Sequence, residues 1–114
     1  MSTPKISPND VLSQLFAVVE DRKAKLPEKS YTTELFRGGL ERIGGKVTEE
    51  AGEVAAAARE PGEAGRAHVI GEAADLIYHL FVLMVARDVC LADVAAELAR
   101  RFGISGLDEK ASRK

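Results

Sequence analysis

Between about Glu63 and Val89 lies a long segment, strongly apolar in its second half, in which Ile77, Leu80, Phe81 and Met84 recur on one helical stripe. A helix of that length and apolarity must be central, with the remaining elements packed around it. Its longest apolar stretch, Leu76 to Ala86, is interrupted by His79 and falls well short of the roughly 20 residues needed to cross a membrane.

Helical spacing continues on both sides. Ser7-Pro8-Asn9-Asp10 reads as a helix start, with Ser7 as cap, Pro8 in the first position and Asp10 closing a capping box. Val11, Leu12, Leu15, Phe16 and Val19 then form an apolar face, and Pro27 ends the element. Ser30 to Thr33 offer new caps before a short helix, Glu34 to Arg37, after which Gly38-Gly39 can bend the chain. A further helical segment runs from Leu40 to about Glu60 and stops at Pro61-Gly62. Gly44, Gly45 and Gly52 each cost it about 1 kcal/mol relative to alanine, which predicts close backbone approach or a local bend. A last helix begins at Cys90 or Leu91, places Val94, Leu98 and Phe102 to bury one side, and ends at Gly103. No run alternates with period two. The expectation is an all-α bundle of about four to five helices, one domain over residues 1–114, with 1–8 and 104–114 as irregular tails.

A net charge of -2 leaves no electrostatic footprint for nucleic acid. The lone Cys90 has no internal disulfide partner, no Cys/His spacing suits zinc, and MSTPKISPND has no apolar signal core. These features predict a soluble cytoplasmic protein without a membrane partner.

Against that near-neutral balance, the stretch KVTEEAGEV places Glu49, Glu50 and Glu53 within five residues, and EAADLIYHLF adds Glu72 and Asp75. Glu50 and Glu53 share one helix face, and Glu72 and Asp75 share another. Helices joined by a short connection are normally antiparallel neighbours. Glu53 lies 8 residues before Pro61 and Glu72 lies 10 after Gly62, so the pairs stand at similar heights. Two like charges about 4 Å apart repel by about 4 kcal/mol at an effective dielectric of 20. The acids therefore either point apart into water, with Lys46 pairing to Glu49 or Glu50, or are held together by cations. An all-oxygen set selects Mg²⁺, or Mn²⁺, and such ions characteristically serve attack of water on a phosphoanhydride.

His68, Glu72, Asp75 and His79 also share a face, which opens a di-iron reading. Such sites use Glu-x-x-His on two helices, a pattern this chain lacks. His79, beside the apolar stripe, reads as a packed core histidine.

The order Glu-Glu-x-x-Glu followed by Glu-x-x-Asp resembles the all-α nucleoside triphosphate pyrophosphohydrolases, the MazG-like superfamily. Within it, SYTTELFRGGLERIGGKVTEEAGEV, EAADLIYHLFVLM and the tail SGLDEKASR are most similar to the phosphoribosyl-ATP pyrophosphohydrolases of histidine biosynthesis. The resemblance implies Mg²⁺-dependent cleavage of phosphoribosyl-ATP to phosphoribosyl-AMP and pyrophosphate. By motif, Glu50, Glu53, Glu72 and Asp75 would be metal ligands, Glu49 an outer ligand or an orienter of water, and Lys46 a phosphate contact. It also implies a homodimer or higher oligomer, with the small residues Ala55 to Ala58 allowing close helix packing. No segment resembles the cyclohydrolase fused to some family members, so a stand-alone polypeptide is expected. Gly44, Gly45 and Gly52 depart from the family pattern. Two other readings stay open: a house-cleaning enzyme acting on free or damaged nucleoside triphosphates, and a non-enzymatic helical interaction module.

Overall fold

Local capping chemistry sets the ends of four α-helices in the computed structural model, which describes residues 6–103. No strand occurs among the described residues. The SGLDEKASR tail lies outside them. Helix α1 spans Pro8–Lys25, α2 Tyr31–Ala57, α3 Gly62–Ala86 and α4 Leu91–Phe102.

Each boundary has a physical cause. Ser7 is the N-cap of α1, but its side chain makes no capping bond, so the expected box with Asp10 does not form and the start rests on the preset φ of Pro8. Leu26, in the left-handed region, closes α1 by donating its N–H to the Arg22 carbonyl at 2.8 Å. The Ser30 hydroxyl accepts from the Thr33 N–H at 3.2 Å and caps α2. Helix α3 ends at Ala86, three residues before Val89, where Arg87 leaves helical geometry and Asp88 takes a positive φ of 58°. Cys90 caps α4 with its N–H donated to the Asp93 carboxylate at 3.0 Å, and Gly103 ends it at φ 62°.

The decisive backbone feature is Gly39, whose φ of 85° and ψ of 177° break α2 internally. That conformation is essentially restricted to glycine. Tyr31 lies against His79, Gly39 lines one cleft with Ala86, and Glu50 lies near Asp75. The chain thus climbs α3 from level 79 to level 86 and returns to level 75, so the two parts of α2 form a hairpin on one face of α3. The bend expected at Gly38-Gly39 is found there. Gly44, Gly45 and Gly52 sit in regular helix with open space where a side chain would start, so neither close approach nor a bend accounts for them. Close approach occurs instead at Gly65, where an added Cβ would lie 2.0 Å from the Glu60 carbonyl oxygen. This tight turn brings α3 back along α2.

Phe16 and Val19 of α1, Leu35 and Ile43 of α2, and Phe81, Val82 and Val85 of α3 form the core. Phe16 meets Phe81 edge to face with centroids 5.1 Å apart, a favoured aromatic geometry. Fully burying such side chains stabilises the fold by roughly 1.5–3 kcal/mol each.

Two apolar expectations are corrected. Of the stripe Ile77, Leu80, Phe81 and Met84, only Phe81 is buried; Ile77 and Leu80 are exposed, because the face turned to α1 and α2 is instead the one with His79, Val82 and Val85. On α4, Val94, Leu98 and Phe102 do not bury one side: they are 37%, 45% and 63% exposed. Leu98 lines an open cleft with Asn9, Leu12 and Ser13 of α1, which covers it only in part. By length and composition alone, the 25-residue α3 is apolar enough to cross a membrane, which the interrupted stretch Leu76 to Ala86 did not suggest. Its acids Glu72 and Asp75 would be costly there, and it packs as the central helix on α1 and α2.

Candidate metal centre

The antiparallel return of α3 brings Glu50 opposite Glu72 and Asp75. One carboxylate oxygen from each lies within 4.8 Å of the other two. Glu50 is buried, with a side chain only 12% exposed. Burial, the adjoining Glu72 carboxyl and the charge of Asp75 hold the Glu50 carboxyl above the ordinary carboxylate value, with His79 pulling weakly the other way.

The other sequence-derived residues take separate positions. Glu53, on the next turn of α2, is exposed and outside the three-acid group. Glu49 is turned to Lys46, whose Nζ donates to it at 2.8 Å; this hydrogen bond and the lysine charge hold Glu49 below its ordinary value. Lys46 also lies 3.9 Å from Glu50, so it stands at the rim of the acid group with its charge shared between two carboxylates. Its bond to Glu49 raises the lysine's own value.

The two histidines are both engaged. The His79 Nδ1 donates to the Asp75 carbonyl oxygen, 2.9 Å away, and Nε2 shares a hydrogen bond with the Tyr31 hydroxyl at 3.0 Å. His79 is therefore the packed, hydrogen-bonded core histidine expected. Beside it the Thr32 and Tyr78 hydroxyls bond to each other, a second tie between the start of α2 and α3. His68 lies between two carboxylates, with Nδ1 2.9 Å from Glu60 and Nε2 3.1 Å from Glu72. The bonds to Glu60 and then Glu72 raise the imidazole above its ordinary value. With both ring nitrogens engaged by carboxylates, His68 offers neither to iron in this arrangement.

The donor set fits a hard divalent cation. Three oxygen ligands are gathered from two helices, and the most buried of them is held towards its protonated form by its neighbours, a strain that a cation relieves. Tyr31 and Glu60 were not singled out by sequence reasoning. The step of four from His68 to Glu72 was visible, but the partners of Tyr31 and Glu60 lie across the hairpin and the interhelical turn, where no local spacing marks them.

The profile of the phosphoribosyl-ATP pyrophosphohydrolase family matches residues 12–102. A phosphoribosyl-ATP pyrophosphatase of Rhodopirellula baltica is 59% identical over 102 residues, covering 90% of this chain and 85% of that protein. Similar proteins of the same description occur in Geobacter sulfurreducens, 48% identical over 106 residues with 92% of this chain and 94% of the relative covered, and in Methylococcus capsulatus, 47% identical over 105 residues with 92% and 97% covered.

Proposed function

The chain belongs to the phosphoribosyl-ATP pyrophosphohydrolase family, and from that membership we infer that it hydrolyses phosphoribosyl-ATP to phosphoribosyl-AMP and pyrophosphate in histidine biosynthesis. The observation that carries this reading down to named residues is the convergence of Glu50, Glu72 and Asp75 on one point between α2 and α3.

These three would hold Mg²⁺, with Mn²⁺ as a substitute, and Glu53 on the adjoining turn would complete the ligand set. When bound, the cation neutralises charge on the phosphate oxygens of the substrate. The protein's own contributions follow from position. Glu50 enters the site from a buried wall, where carboxylate charge is least screened. Lys46, at the rim, offers an ammonium to the polyphosphate. Glu49, kept ionised by Lys46, is placed to accept a proton from water or to orient it. Tyr31 and His79 hold the start of α2 to the turn that carries Asp75.

The exposed apolar faces of α3 and α4 support a homodimer or higher homo-oligomer, since scattered exposure is ordinary but Ile77 and Leu80 on one helix and Val94, Leu98 and Phe102 on another form stripes. One domain spans residues 1–114 in this reading, and the enzyme works in the cytoplasm. Pyrophosphate release from phosphoribosyl-ATP, measured with and without Mg²⁺, tests the assignment. Wild type releases it only with the cation, and Asp75→Asn abolishes release while the far-ultraviolet helical signal is unchanged. Full activity of that variant would reject the site, and faster turnover of a free nucleoside triphosphate would reject the substrate.

A further inference from the structure

Nothing in the proposed chemistry uses His68, yet its side chain touches the acid group from outside, as that of Lys46 does at the rim. Its Nε2 is 3.1 Å from Glu72, and its other nitrogen is 2.9 Å from Glu60, at the junction between α2 and α3. Glu60 is itself held in the turn where Gly65 packs against its backbone. The imidazole is thus anchored at one end to a backbone constriction and at the other to a carboxylate of the site.

A carboxylate has two oxygens, and free rotation lets either, both or neither face its partners. An N–H donor fixed on one oxygen removes that freedom and leaves the second oxygen for another group. We propose that His68 is a positioning residue of the metal centre: anchored by Glu60, it holds one oxygen of Glu72 and thereby presents the other to the cation shared with Glu50 and Asp75. This rests on the reading of those three acids as cation ligands. Glu60 has no role in that reading other than through His68, which makes it an independent handle.

The test is titration of the cation-stripped full chain with Mn²⁺, free Mn²⁺ being counted by its paramagnetic resonance signal, alongside the Mg²⁺ dependence of pyrophosphate release. His68→Ala is expected to weaken Mn²⁺ binding about 10–100-fold, the range for loss of a group that supports a ligand. The Mg²⁺ concentration for half-maximal activity rises by the same factor, while kcat at saturating Mg²⁺ stays within about twofold. His68→Gln, which keeps an N–H donor, restores most of the affinity, and Glu60→Ala weakens binding by a smaller factor. Wild-type Mn²⁺ affinity in both His68→Ala and Glu60→Ala would overturn the proposal, as would a His68→Gln variant as weak as His68→Ala. If His68→Ala loses its helical signal, Glu60→Ala decides alone, and unaltered binding there overturns it. A wild type that binds Mn²⁺ but releases no pyrophosphate refutes the substrate assignment while the binding series still decides His68; a wild type that binds no Mn²⁺ refutes the three acids as cation ligands and the role of His68 with them.

Discussion

The Tyr31 hydroxyl stands 3.0 Å from Nε2 of His79 across 48 residues of sequence, and the ring it meets is fixed by a second bond to the Asp75 carbonyl. The first residue of α2 is therefore attached to the turn of α3 that bears a candidate ligand, although Glu50 on the same α2 faces that turn too. Both contacts exist together only because α2 doubles back at Gly39.

Gly39→Ala tests that geometry. At φ 85° and ψ 177° a Cβ is strained whatever space surrounds it, and none of the described atoms crowds the position. The expected loss is about 1–3 kcal/mol of unfolding free energy in urea, with a parallel loss of activity as the Tyr31 tie and the Glu50 group fall out of register. An unchanged urea midpoint would show that the hairpin is not set by this residue.

Glu50→Gln tests the electrostatics. A carboxyl whose folded value is raised favours folding while it is protonated, so the stabilisation it gives the cation-free protein is complete below its unfolded value near 4.5 and is lost as pH rises through the folded value. In chelator, the melting temperature of wild type should fall relative to that of Glu50→Gln as pH rises through this window. Adding Mg²⁺ at pH 8 should raise the melting temperature of wild type and not that of the variant, because only wild type offers the buried anionic ligand. Equal Mg²⁺ responses in the two proteins would remove Glu50 from the site.

Glu53→Gln addresses the acid that stands apart from the other three. As a ligand it would be needed for the reaction, and pyrophosphate release should fall about 100-fold or more at fixed Mg²⁺ with an unchanged melting temperature. Activity within about twofold of wild type would leave Glu53 a solvated surface acid. Lys46→Ala in the same assay should raise KM more than it lowers kcat, as expected of a rim cation that binds polyphosphate before and during the reaction alike.

Leu80→Glu and Leu98→Glu probe the exposed apolar faces. Each side chain is substantially exposed in the single chain, at 40% and 45%. Sedimentation of wild type should give a dimer or larger species, and at least one substitution should shift it to the monomer without loss of helical signal. A monomeric wild type would refute the oligomer.

The helices themselves were legible because their signals are local. Pro8, Ser30, Pro61-Gly62 and Gly103 act through φ preference and capping within a few residues, and the break at Gly38-Gly39 was visible for the same reason. The acids were legible too, as pairs at helical spacing on segments joined by a short turn. Their family context in KVTEEAGEV and EAADLIYHLF was likewise carried by the sequence, and the family profile agrees with it. What local spacing could not decide is which of several equivalent faces turns inward. Helix α3 has apolar residues on more than one side, and only packing against α1 and α2 chose Phe81, Val82 and Val85 over Ile77 and Leu80. The same rule holds at the site: Glu50 and Glu53 are glutamates one turn apart, yet of the two only Glu50 is gathered with Glu72 and Asp75. Burial and like-charge proximity belong to pairs of helices, so the sequence determined the rods and their chemistry, while tertiary contact decided which side chains meet.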